Sequence, residues 1–174
     1  MSDIKPRHSL RLKHYDYSKP GAYFITICVK DRRLFLGNVT DNKTQVNEYG
    51  EIVQKCWQEL KRHFVYIRPD EFVVMPNHVH GIIMIASQLE EKDIKDTMNQ
   101  EGLINQPPAL GQIVRHFKAK TCTLIRKSGF NEFEWQRNYY EHIIRDENEL
   151  YNVKEYIVYN PYKLDADNEN PESR

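Results

Sequence analysis

The chain is predicted to take an α+β fold on the split βαβ plan, with one antiparallel sheet and helices packed on one of its faces. Three observations lead there. Two stretches with apolar residues at helical spacing alternate with β-prone runs, in the order β-α-β-β-α-β, and a third helix closes the chain. The two adjacent β-prone runs are separated only by Pro76-Asn77, the signature of a tight antiparallel turn. The length, 174 residues, suits one domain with a real core.

Taken in order, residues 1–20 form a basic arm that ends at Pro20-Gly21. Ala22–Val29, AYFITICV, is rich in β-branched and aromatic residues and reads as the first strand, closed by the charged Lys30–Arg33. Asp41–Lys43 is a turn. Asn47 caps a helix running to about His63, with Tyr49, Ile52, Val53, Cys56, Trp57, Leu60 and Phe64 as its apolar stripe. Pro69-Asp70 leads into a hairpin of Glu71–Met75 and His78–Ile85. Ser87–Pro108 is polar and acidic, a mobile loop over residues 87–108. Leu110–Lys127 is the next helix, with Leu110, Ile113, Val114, Phe117, Thr121, Leu124 and Ile125 facing inward. Glu141–Ile144 is the last strand. Asp146 and Glu149 form a capping box for a final helix whose core face is Leu150, Val153 and Ile157, and Pro161 stops it. The acidic tail 165–174 is expected to be disordered, leaving a core of about residues 20–164 in a single domain of 1–174. Without its last helix this is the ferredoxin-like plan, which leaves one sheet face open.

Composition narrows the function classes. No apolar run approaches the ~18–20 residues that span a membrane, and MSDIKPRHSL is no signal peptide, so a soluble cytoplasmic protein is expected. Cys28, Cys56 and Cys122 make neither a disulfide framework nor a CxxC zinc site. Net charge is zero but uneven: residues 1–33 and 109–128 each carry a balance of +5, against −3 in Glu90–Glu101 and −3 in Asp165–Arg174. Two basic segments in a neutral chain are a possible phosphate footprint. Arg115, Lys118 and Arg126 share one helix face, which reads equally as a stripe following a nucleic-acid backbone and as a solvated surface.

The chemistry centres on FVVMPNHVHGIIMI, Phe72–Ile85. Side chains alternate along a strand, so His78 and His80 project together while Val79 points away. Two imidazoles on one rigid strand can grip one metal ion. They read as well as a buried pair satisfied by hydrogen bonds, and the motif alone does not choose. On the final helix Tyr156 and Asn160 are four apart and neighbour each other beside the apolar stripe. A hydroxyl and an amide oxygen can thus be delivered together. With Mg²⁺ or Mn²⁺ the chemistry that fits is phosphoryl transfer, a tyrosine oxygen attacking a metal-polarised phosphodiester. Most of the 11 tyrosines are structural, and spacing alone does not single out Tyr156.

The motifs MPNHVHGIIM, KPGAYFITICVKDRR, WQRNYYEHIIRDENEL and EYIVYNP, in that company and order, resemble the single-tyrosine HUH transposases, most closely their REP-associated branch. The resemblance covers about residues 7–164. It implies His78 and His80 as metal ligands, Tyr156 as the nucleophile and Asn160 as third ligand. Such enzymes nick single-stranded DNA beside hairpins or palindromic repeats, forming a 5′-phosphotyrosine and freeing a 3′-hydroxyl. DNA-holding residues are then expected at Arg7, Arg11, Lys13, Arg32, Arg33, Arg115, Lys118, Arg126 and Arg137, with Tyr139 and Tyr140 as base-stacking candidates. A homodimer is compatible with the resemblance. Two other readings stay open: a non-catalytic nucleic-acid binder on the same fold, and a zinc hydrolase or lyase that would take His142 as third ligand.

Overall fold

The computed structural model describes residues 16, 19–40, 43–89 and 107–161. Arg7, Arg11 and Lys13, most of the basic arm and of the 87–108 loop, and the acidic tail lie outside the described residues. Strand β1 is Gly21–Cys28, followed by a short 3-10 turn at Lys30–Arg32. A hairpin of β2 (Gly37–Thr40) and β3 (Lys43–Val46) precedes helix α1 (Glu48–Gln58) and the single turn α2 (Leu60–His63). Then come β4 (Ile67–Met75), β5 (His78–Ile85), α3 (Leu110–Lys127), β6 (Tyr140–Ile144) and α4 (Glu147–Tyr159). The main sheet has the order β4-β5-β1-β6, antiparallel throughout. This is the split βαβ arrangement expected. No helix among the described residues is long and apolar enough to cross a membrane.

Local signals set the helix starts. Asn47 Oδ1 accepts from the Tyr49 and Gly50 amides, and Asp146 Oδ1 accepts from the Glu149 amide. Three expectations about the elements themselves need correction. The β2–β3 hairpin was not foreseen beyond its turn, because GNVT and KTQV are too short and polar to show alternation. Gly37 makes it possible, with φ of 147° and a position where a Cβ would lie 2.3 Å from the Gln45 carbonyl oxygen. Strand β4 starts at Ile67 rather than Glu71, with a bulge between Pro69 and Phe72. It is an edge strand, where proline costs no interior ladder bond. Leu124 is 37% exposed instead of facing inward.

One sheet face, built from Tyr23, Ile25, Ile27, Val79 and Ile83, packs under α1 and α3. Gly81 lies on that face beneath Trp57, which stacks on Phe72 at 4.3 Å. A Cβ at Gly81 would sit 2.6 Å from the indole. Gly81→Ala is therefore expected to cost about 1–3 kcal/mol through overpacking, read as a lowered urea midpoint with unchanged slope.

The opposite face is not open as the sequence suggested. Helix α4 lies over it, with Ile157 buried against Ile82 and Ile144, and Leu150 and Val153 packed alongside. The helix crosses the face because its apolar stripe finds there the row of side chains that α1 and α3 leave uncovered.

Candidate active site

The β4–β5 turn sits at the end of β1. The Val29 amide donates to the Asn77 carbonyl at 2.8 Å, and the Leu36 amide donates to that of Pro76 at 2.9 Å. Register places Cys28 opposite His78 and Thr26 opposite His80. Both imidazoles point to the α4 side and are buried, His78 at 0% and His80 at 2% exposure. His78 Nδ1 donates to Asn77 Oδ1 at 2.6 Å, since an amide oxygen carries no proton. His80 Nδ1 is held by the Thr26 hydroxyl at 2.8 Å. Both rings are thereby oriented through Nδ1, and their Nε2 atoms face each other 2.9 Å apart.

This is how metal-binding histidines are oriented by a supporting hydrogen bond on the other nitrogen. A nitrogen–nitrogen separation this short calls for a proton or a cation between the two rings. Nitrogens ~2.1 Å from one cation and at right angles to each other would stand ~3.0 Å apart, close to the separation observed. One turn beyond Tyr156, Asn160 is fully buried, and neither atom of its amide has a hydrogen-bond partner. A buried unsatisfied amide costs about 1–3 kcal/mol, so its retention points to a ligand. Two imidazoles, and one helical turn beyond Tyr156 an unpartnered amide oxygen, are a donor set whose chemistry suits a divalent cation. Among the described residues no cluster of three His, Cys, Asp or Glu could hold a metal. His142, the candidate for a zinc site, instead contacts Glu149 at 2.6 Å.

Tyr156 is 37% exposed, its ring edge-on to His80 at 5.3 Å and to Phe24 at 5.9 Å. Phe24 in turn stacks on His80 at 5.4 Å. His78, His80 and Tyr156 therefore come together within one chain. Phe24, Thr26 and Asn77 were not anticipated. Their part depends on strand register, which no local pattern in the sequence declares.

The basic candidates divide. Arg33 and Arg115 are exposed, and Arg33 lies 5.7 Å above the Phe35 ring. Arg32, with φ of 53°, belongs to the left-handed turn after β1. Arg137 lines a cleft of about 580 Å³ together with Lys30, Asp31, Glu134 and Gln136. Lys118 and Arg126 turn back onto the protein. Lys118 donates to the Gln136 and Asn138 carbonyls at 2.7 and 2.8 Å, and Arg126 donates to that of Phe133 at 3.0 Å. They hold the Phe133–Asn138 segment in place. Tyr140 is half exposed on the edge strand, opposite Thr26.

Burial pushes the Lys118 ammonium down to about 8 from its ordinary 10.5. Between those values the unfolded chain holds the extra proton, so stability rises with pH there. Wild type is expected to gain stability relative to Lys118→Met as pH rises through that window, with a constant difference below it. Urea denaturation of both proteins at several pH values checks this, and a flat difference would mean that the ammonium is solvated.

No family model matches the chain. It is 42% identical to an uncharacterized protein of Haemophilus influenzae, over 94% of this chain and 93% of that one. A second protein of that organism, whose assigned name is REP-associated tyrosine transposase, is 27% identical, with 85% of this chain and 74% of the relative covered. Among solved structures, that of a REP-associated tyrosine transposase bound to a REP hairpin superposes with a TM-score of 0.57 at 19% identity. The match covers 88% of this chain and 73% of that one.

Proposed function

We propose that the chain, which is similar to REP-associated tyrosine transposases, cuts and rejoins single-stranded DNA next to hairpins through a covalent Tyr156 intermediate. The observation that carries this reading is the convergence of the two histidine Nε2 atoms, 2.9 Å apart, beneath the Tyr156 ring. The orphaned Asn160 amide supports it. His78, His80 and Asn160 would hold Mg²⁺ or Mn²⁺, which when bound draws charge off a phosphodiester.

The chain's own residues do the rest. Tyr156 Oη gives up its proton and bonds to phosphorus, the P–O3′ bond breaks, and the departing 3′ oxygen takes up a proton, so none is gained or lost overall. The phosphotyrosine retains the bond energy, so a second 3′-hydroxyl can reverse the step without a nucleotide cofactor. A free tyrosine has a pKa of ~10 and is a poor nucleophile, and fixing it on a helix above the site removes the cost of an encounter. Tyr156 acts in cis in this reading. Because the histidines are buried, the incoming strand has to displace part of what covers them. Arg32, Arg33, Arg115 and Arg137 offer charge for the DNA backbone, and Lys118 and Arg126 act through the segment they hold.

The test is a denaturation-resistant protein–DNA adduct formed on hairpin-bearing single-stranded oligonucleotides drawn from DNA flanking the gene, with Mn²⁺ or Mg²⁺. Tight hairpin binding without an adduct would favour a binding protein on the same fold. Zinc retained stoichiometrically through purification would favour the hydrolase or lyase.

A further inference from the structure

Helix α4 is fastened to the sheet by little apolar surface, with Ile157 its only buried residue. Two polar contacts add to this, and they fall on opposite edges of the sheet. At β6, His142 Nε2 lies 2.6 Å from Glu149 Oε1. At β4, Lys154 Nζ pairs with Asp70 Oδ2 at 2.7 Å. Glu149 is tied in three ways: its other carboxylate oxygen accepts from the Arg145 amide at 2.7 Å, and its own amide donates to Asp146 Oδ1. The His142 hydrogen bond, and then the Arg145 amide, hold its carboxyl below the usual carboxylate range.

The spacing gives these contacts a consequence for the site. Glu149 and Tyr156 are seven residues apart, two helical turns, so they share a face and stand ~10.5 Å apart along the axis. Beneath them the sheet carries a matching row. His142 pairs in register with Phe24, and Phe24 stacks on His80. Glu149 thus sits over His142 as Tyr156 sits over Phe24 and His80. A helix held at two edges of a four-stranded sheet, ~14 Å apart, has its crossing angle defined.

We propose that His142 and Glu149 are positioning residues that set the axial and angular placement of Tyr156 over the histidine pair, with Lys154–Asp70 as the counter-clamp on the opposite edge. This rests on the functional reading above. Neither residue touches the reacting atoms. Their effect is on how often the phenol stands where attack is possible, where a misplacement of ~1 Å costs on the order of 10²-fold in rate.

The experiment compares wild type, His142→Ala, His142→Gln and Leu150→Ala. It reads hairpin Kd, the first-order rate of adduct formation at saturating DNA, and backbone hydrogen exchange across residues 147–159. His142→Ala is expected to slow the adduct step about 10-fold or more, to leave Kd within about 2-fold and to speed exchange after Val153. His142→Gln keeps a donor for Glu149 and is expected to recover most of the rate. Leu150→Ala loses packing but not the clamp, so it should lower stability while its folded fraction reacts at the wild-type rate. A wild-type rate in His142→Ala, or a loss confined to Kd, overturns the assignment. Exchange unchanged by His142→Ala overturns the clamp whether or not wild type forms an adduct. That separates its failure from a failure of the proposed reaction.

Discussion

Tyr156→Phe is expected to abolish the covalent protein–DNA adduct altogether while leaving hairpin affinity within about 2-fold of wild type. The substitution removes one oxygen and keeps the ring, so the edge-on packing against His80 and Phe24 survives. The rest of the helix is unchanged, and the variant should keep a cooperative thermal transition. Because an aromatic ring without a hydroxyl cannot form a phosphoester, the loss should be complete. Tyr140→Phe and Tyr159→Phe serve as comparisons. Both residues are about half exposed, whereas the ring set edge-on to His80 is that of Tyr156, so both variants should still form the adduct. An adduct that persists in Tyr156→Phe and disappears in one of the others would move the nucleophile and remove the role assigned to the α4 clamp.

The second large effect concerns the metal. Mn²⁺ at 100 times its Kd is expected to stabilise wild type by about 2.7 kcal/mol, since only the folded chain brings the ligands together. His80→Ala should lose that gain and slow adduct formation at least about 100-fold, because one of the two converging nitrogens is gone. Asn160→Leu gives the sharper contrast. With EDTA present it should be the more stable protein, by up to about 1–3 kcal/mol, because it removes a buried amide that has no partner. Its gain with Mn²⁺ should be reduced or absent. Urea denaturation with and without Mn²⁺ reads both terms. If Asn160→Leu were destabilised in EDTA and gained as much from Mn²⁺ as wild type, the amide would be a structural group and the third ligand would lie elsewhere. A site that stabilises the protein only when loaded is the stability–activity trade-off expected of a functional position.

Much of this molecule is written locally in its chain. Asn47 and Asp146 start their helices, Leu110–Lys127 shows its apolar stripe, and Pro76-Asn77 turns one strand back on the next, all through interactions within a few residues. The shared direction of His78 and His80 follows from the two-residue repeat of a strand and needs no tertiary information. Other features depend on long-range register and packing, which no local window contains. Thr26 supports His80 only because β1 and β5 pair with those two residues opposite. Helix α4 covers the histidine face, which the sequence left open, because its stripe and its two clamps meet groups from strands β4, β5 and β6. Lys118 and Arg126 looked like a surface stripe by helical spacing, and the folding-back of the Phe133–Asn138 segment gives them backbone carbonyls to hold. Sequence alone determined which groups could do the chemistry. The tertiary structure decided which of them meet, because strand register and helix docking are set by the burial of side chains far apart in the chain.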